Sequence, residues 1–206
     1  ADMGGDGDMD VFAASYDNEV MWFENFGSAN FGSKQYVNAN ISGGASVYVA
    51  DINDDGFKDV LSASRFDDTI AWYENQGDGS FGSQQVITTS ADGPYSVYAA
   101  DLDGDGNMDL ISASSRDNKV ACYRNQGNQN FSGQQVVCTN AEGAQSVFTA
   151  DIDCDGNLDI VSASRNDNKI AWYRNQDDTS FSEQQVISTS VDGPQSVYTA
   201  DLDSDG

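Results

Sequence analysis

Apolar residues in this chain come in short runs that alternate with small or polar ones, and the runs return in a fixed order. Between residues 95 and 140 the order is "YSVYAAD" (95–101), "DLISAS" (109–114), "KVACYR" (119–124) and "FSGQQVVCT" (131–139). Alternation of this kind sets one face of a strand against a core. The intervening segments "SRDN", "NQGNQN" and "NAEGAQ" are rich in turn-forming Gly, Asn and Asp. No stretch sustains a 3.6-residue apolar period, so no helix is predicted. The pattern then repeats: "IAWYEN" (70–75) matches "VMWFEN" (20–25), "VACYRN" (120–125) and "IAWYRN" (170–175), while Phe31, Phe81, Phe131 and Phe181 lie 50 residues apart.

Self-similarity at 20 to 50 residues marks a solenoid, a propeller or an array. Four short antiparallel strands per unit predict an all-β fold, a β-propeller built of four-stranded blades. The repeats run over 2–50, 51–100, 101–150 and 151–200, and a fifth begins at 201–206. Aromatics such as Trp72, Tyr73 and Phe81 are expected to fill the space between neighbouring blades.

Between the first two strands of each unit lies an aspartate-rich loop. In "DLDGDGNMD", Asp101, Asp103, Asp105 and Asp109 crowd four like charges into nine positions. Calcium takes six to eight oxygens in flexible geometry, so such a loop wraps one ion, with Gly106 making the sharp turn and the Asn107 carbonyl adding an oxygen. An EF-hand is excluded, because position twelve is Ser112 and the flanks read as strands. "DINDDGFKD" (51–59), "DIDCDGNLD" (151–159) and "DLDSDG" (201–206) recur at 50-residue steps, and "DMGGDGDMD" opens at residue 2. Unpaired carboxylates repeated in register call for a cation.

The loops also change how the charge is understood. The net charge is −25, yet the five loops hold 19 of the 34 acidic residues and one base, Lys58. Most of the charge is therefore candidate ligand, and the remainder disfavours nucleic acid and anionic membrane. No stretch approaches the roughly 20 apolar residues of a membrane span, so direct membrane insertion is not expected. Calcium loops of this weak type fill at extracellular concentrations, which points to an extracellular or cell-surface location. Cys122 stands where Trp22, Trp72 and Trp172 stand in other repeats, and simple hairpin register does not oppose it to Cys138. Asn40 and Asn130 each begin a glycosylation sequon. The chain has no His, and every tight carboxylate cluster is assigned to metal, so no enzyme is expected.

The phrase "FGSQQVITTSADGP" brings these signals together. Phe81-Gly82 and Gly93-Pro94 precede a calcium loop, with degenerate copies at Phe31-Gly32, Phe131-Ser132 and Phe181-Ser182. In this the chain resembles the FG-GAP/VCBS repeat family, whose blades also build the integrin α-subunit head. The resemblance implies Ca²⁺ at one face of the propeller. It implies as ligands Asp51, Asn53, Asp55 and Asp59; Asp101, Asp103, Asp105 and Asp109; and Asp151, Asp153, Asp155 and Asp159, joined by the carbonyls of Phe57, Asn107 and Asn157. In the first loop Gly4 replaces the third ligand, leaving Asp2, Asp6 and Asp10, with Asp8 at the seventh position. The last loop offers Asp201, Asp203 and Asp205 without a closing Asp.

For function the resemblance implies a binding, adhesion or assembly module for protein partners. The alternative is a calcium-dependent lectin, since some fungal lectins resemble this repeat type. Repeated aromatics (Tyr48, Tyr98, Phe148, Tyr198) and amide pairs (Gln84-Gln85, Gln134-Gln135, Gln184-Gln185) are either sugar contacts or, respectively, interblade core and solvated strand faces. The family's propellers commonly have six to eight blades, so this chain is expected to belong to a longer chain. Otherwise "SVYTAD" (196–201) completes the first blade, either within one four-bladed ring or in a homodimer.

Overall fold

The computed structural model describes residues 1–127, 129–176 and 180–202. Fifteen strands and no helix appear among the described residues, so no helix is long and apolar enough to cross a membrane. β1 (Val11–Ser15), β2 (Glu19–Phe23) and β3 (Gln35–Asn38) make a three-stranded sheet. β4 (Gly44–Ala50), β5 (Asp59–Ser64), β6 (Thr69–Tyr73) and β7 (Gln85–Thr88) form the second sheet in sequence order. The third holds β8 (Pro94–Ala100), β9 (Asp109–Ser114), β10 (Lys119–Tyr123) and β11 (Gln135–Cys138). The fourth holds β12 (Ala144–Ala150), β13 (Asp159–Ser164), β14 (Lys169–Tyr173) and β15 (Gln185–Ser188). All pairings are antiparallel, for example Leu61 with Tyr48 on one side and Trp72 on the other.

The middle strands β5, β9 and β13 are buried at all six positions. A strand reaches that state when other layers cover both of its faces. For β5 and β9 the covers are the neighbouring blades; β13 has a blade on one side. Trp72 joins Val97, Leu110, Ala121 and Tyr123 in one core between the second and third sheets. Cys122 and Ile111 join Val147, Ile160 and Tyr173 in the next. Phe81 meets Trp22 edge-on at 6.3 Å. The predicted interblade role of the aromatics is thus observed. β4, β8 and β12 adjoin one another, and along them Tyr48, Tyr98, Phe148 and Tyr198 form a ladder with ring centroids 4.4, 4.8 and 4.4 Å apart.

One detail differs from the pattern predicted. The fourth strand of a blade is shorter than "FSGQQVVCT": Phe131 makes one isolated bridge to Asn125, and the ladder resumes only at Gln135. A register shift between Val120 and Ala121 accompanies it. Bulged, four-residue outer strands are poor templates for further pairing. Residues 194–200 make no ladder within this chain, and the first sheet has three strands. Residues 194–200 lie against β12, with the Val197 N–H on Ser146 Oγ at 3.2 Å. As the hairpin register predicts, Cys122 is not opposite Cys138: it pairs with Gln135, and Cys138 with Val120; both thiols are buried without a disulfide.

Candidate metal centres

The aspartate loops at 51–59, 101–109 and 151–159 join the first strand of a blade to the second, the loop at 2–10 leads into β1, and the first residue of each organises it. Asp101 Oδ1 accepts the N–H groups of Gly104 (2.8 Å) and Asp105 (3.2 Å), and its Oδ2 accepts that of Gly106 (3.0 Å). Asp2, Asp51 and Asp151 hold the same turns. The fifth residue then ties the seventh: Asp55, Asp105 and Asp155 accept the N–H groups of Phe57, Asn107 and Asn157 at 2.8 to 2.9 Å. Asp6 does the same for Asp8 at 3.0 Å. The sixth residue is always glycine, with φ between 90° and 97° at Gly56, Gly106 and Gly156, a region side chains avoid. Position four is left-handed as well, at Asp54 and Cys154; the sequence pattern had not indicated that.

The ninth residue faces inward. Asp10, Asp59, Asp109 and Asp159 are buried, while most of each loop stays open to solvent. Asp59 Oδ1 accepts the Asn75 N–H at 2.8 Å and Oδ2 accepts the Ile52 N–H at 3.0 Å. Asp109 makes the equivalent bonds to Asn125 and Leu102, and Asp159 to Asn175 and Ile152. Burial pushes Asp59 up to about 6 against those N–H groups, helped by the nearby charges of Asp55 and Asp51. Burial also raises Asp109 and Asp159. A buried carboxylate shifted in that direction is one that a cation would stabilise.

The loops are linked to one another. Asn125 Nδ2 donates to the Ile52 carbonyl of the preceding blade at 2.9 Å, and Asn175 Nδ2 donates to that of Leu102 at 2.7 Å. One hydrogen-bonded relay therefore runs Asp159, Asn175, Leu102, Asp109, Asn125, Ile52, Asp59. The asparagines closing "CYRN" (Asn125) and "WYRN" (Asn175) are its connectors.

Asp101, Asp103 and Asp109 bring carboxylate oxygens within 4.8 Å of one another, and so do Asp151, Asp153 and Asp159. In the second loop Asn53 takes the third position, and its Nδ2 donates to Asp55 (3.0 Å) and Glu74 (3.3 Å). In the first, Gly4 supplies no side chain. Such all-oxygen donor sets fit a hard cation such as Ca²⁺, and disfavour metals that select Cys or His. Asp203 and Asp205 lie outside the described residues, and Asp201 is exposed.

One position escaped the sequence reading. The residue before each connecting asparagine is Glu24, Glu74, Arg124 and Arg174 in turn. Arg124 Nη1 lies 2.7 Å from Asp109 Oδ2 and 3.6 Å from Asp103 Oδ2. Arg174 Nε lies 2.6 Å from Asp153 and its Nη2 2.8 Å from Asp155; that hydrogen bond to Arg174 lowers Asp155. The change of sign at one register was the available signal. One glutamine in each of two pairs is also reassigned: Gln134 and Gln184 donate to the hydroxyls of buried Tyr123 (2.9 Å) and Tyr173 (2.8 Å). They complete interblade tyrosines rather than line a strand face.

A model of the FG-GAP-like repeat matches residues 2–62, 51–112, 104–162 and 151–206. No curated protein sequence matches. Among solved structures, an Agrocybe aegerita lectin described as recognising non-reducing terminal N-acetylglucosamine is similar at 21% identity and TM-score 0.65, over 93% of this chain and 52% of that one. BBS1N, solved in complex with ARL6DN, is similar at 13% identity and TM-score 0.61, over 90% of this chain and 54% of that one. The V. cholerae biofilm matrix protein Bap1 is similar at 19% identity and TM-score 0.50, over 89% of this chain and 29% of that one. The chain thus spans about half the length of the first of these. With repeat matches running from residue 2 to residue 206, it belongs to the FG-GAP-like repeat family.

Proposed function

We propose that the chain is a non-catalytic, calcium-braced propeller module that works outside the cell and binds glycan. The observation that carries the ligand class is an aromatic corner at the opposite ends of the second strands from the aspartate loops. Tyr16 and Phe66 are each 53% exposed, with ring centroids 6.0 Å apart. The Tyr16 and Tyr95 hydroxyls meet at 3.1 Å, and the Arg65 guanidinium sits 4.6 Å from the Tyr95 ring centroid. A sugar ring has an apolar C–H face and a polar rim, and exposed aromatic rings beside hydroxyls and a guanidinium match both. The corresponding turns of the later blades carry Arg116 and Asn166 without aromatics. The likeness in fold to a lectin agrees with this reading without carrying it.

A protein partner is the second reading, favoured by one row of residues. Tyr36, Val86, Val136 and Val186 occupy one register on the outer strands and are 44% to 55% exposed. The deciding experiment is glycan-array binding in millimolar calcium, repeated in EDTA, with wild type and Phe66→Ala. Binding by wild type that Phe66→Ala loses supports the glycan reading. A folded, calcium-loaded protein silent on the array moves the assignment to a protein ligand.

A further inference from the structure

We infer that the aspartate loops are of two kinds: 51–59 depends on calcium, whereas 101–109 and 151–159 carry a built-in cation, the guanidinium of Arg124 or Arg174, which takes the ion's place. The inference rests on the calcium reading above and divides it between blades. A guanidinium stays charged at every accessible pH and matches carboxylates with a planar fork. Arg124 is 8% exposed, and its Nε and Nη2 have no partner, so the carboxylates are what hold it. Its Nη1 contacts two of the three carboxylates grouped in that loop. Asp109 Oδ2 already accepts the Leu102 N–H; with Arg124 added, both of its lone pairs are used. Arg174 spans Asp153 and Asp155, the third and fifth positions, which a bound ion would otherwise bridge.

The second blade differs at the same register. Glu74 brings a carboxylate to the loop, within 3.3 Å of Asn53 Nδ2, and each oxygen of Asp59 accepts one backbone N–H, leaving a lone pair on each. A divalent ion in this loop gains an extra negative neighbour. In the third and fourth blades it would meet a positive charge a few ångströms away; like charges repel strongly at the buried Arg124, and less at the half-exposed Arg174, where water screens them. Loop charge count is also what tunes calcium affinity. Glu24 repeats the acidic register in the first blade, where Gly4 has removed one ligand.

Calcium titration calorimetry on the 206-residue chain tests this, with circular dichroism to verify folding of each variant. Wild type should show a tightest site that Asp51→Ala abolishes and Glu74→Arg weakens by at least about tenfold. Arg174→Glu, at a side chain 47% exposed, should gain one calcium site absent from wild type and melt higher on adding calcium than in EDTA by a wider margin than wild type. Wild type filling 101–109 and 151–159 as tightly as 51–59 would overturn the division while leaving calcium binding intact. So would a folded Arg174→Glu that gains no site. Wild type binding no calcium at all would remove the calcium reading itself, and this inference with it.

Discussion

Asp59→Asn separates the two forces acting on the buried carboxylate. In the metal-free fold, burial pushes Asp59 up to about 6, against about 3.9 in an unfolded chain. The folded state therefore holds this proton more tightly than the unfolded state does. Stability from this group is fully present below about pH 4 and is lost as pH rises through about 6. Two pKa units correspond to roughly 3 kcal/mol. Asparagine mimics the protonated acid in charge but turns an amide donor toward one of the two N–H groups, Asn75 or Ile52, that Asp59 satisfies. One orphaned buried N–H costs about 1 to 3 kcal/mol. At pH 7.5 in EDTA these terms nearly cancel, so variant and wild type should have similar urea midpoints. At pH 4.5 the wild type should pull ahead by about 1 to 3 kcal/mol. In calcium at pH 7.5 the variant should fall well behind, because it has lost a charged ligand. Chemical denaturation at the two pH values, with and without chelator, reads all of these terms. Stability curves in EDTA that run parallel for both proteins from pH 4.5 to 7.5 would refute the reasoning.

Three further outcomes are expected. Chelation should lower the melting temperature and calcium should restore it, with calcium at a hundred times its Kd adding about 2.7 kcal/mol per loaded loop; a melt indifferent to EDTA counts against the metal. Asn125→Ala removes the donors to Ile52 and Met108 and should cost about 1 to 3 kcal/mol by urea denaturation, since it leaves a buried carbonyl without its partner. Cys154 is exposed, whereas Cys122 is buried and its thiol is pushed up to about 11 by burial. Brief alkylation of the native protein at pH 8 should therefore label Cys154 and spare Cys122 by peptide mass spectrometry, and equal labelling would contradict the packing.

The blades were legible because strand alternation and the 50-residue register reinforce each other, and one reading of "DLISAS" serves each full copy. The fourth strand was read too long because apolar content marks Phe131 but not the break after its single bridge. The aspartates were legible as a set through their spacing. Their division was not, since reading repeats as equivalent copies hides the one register that changes sign, from Glu74 to Arg124. Gln134 looked like a surface amide because its partner, the Tyr123 hydroxyl, comes from a strand that the pattern fixes only in register. Which face of a strand is wet depends on the neighbouring blade, and that contact is set in three dimensions.

The asparagine relay bears on how such a chain can grow. Its interblade bonds join Asn125 to Ile52 and Asn175 to Leu102, in each case 73 residues apart. Tandem duplication of any 50-residue stretch therefore copies donor, acceptor and connector together, and the new blade arrives already tied to its neighbour. Insertion of a few residues between an aspartate loop and the next blade's asparagine has no such provision. Whole repeats, and positions such as 74 and 174 that the relay does not use, are where such a chain can change without breaking it.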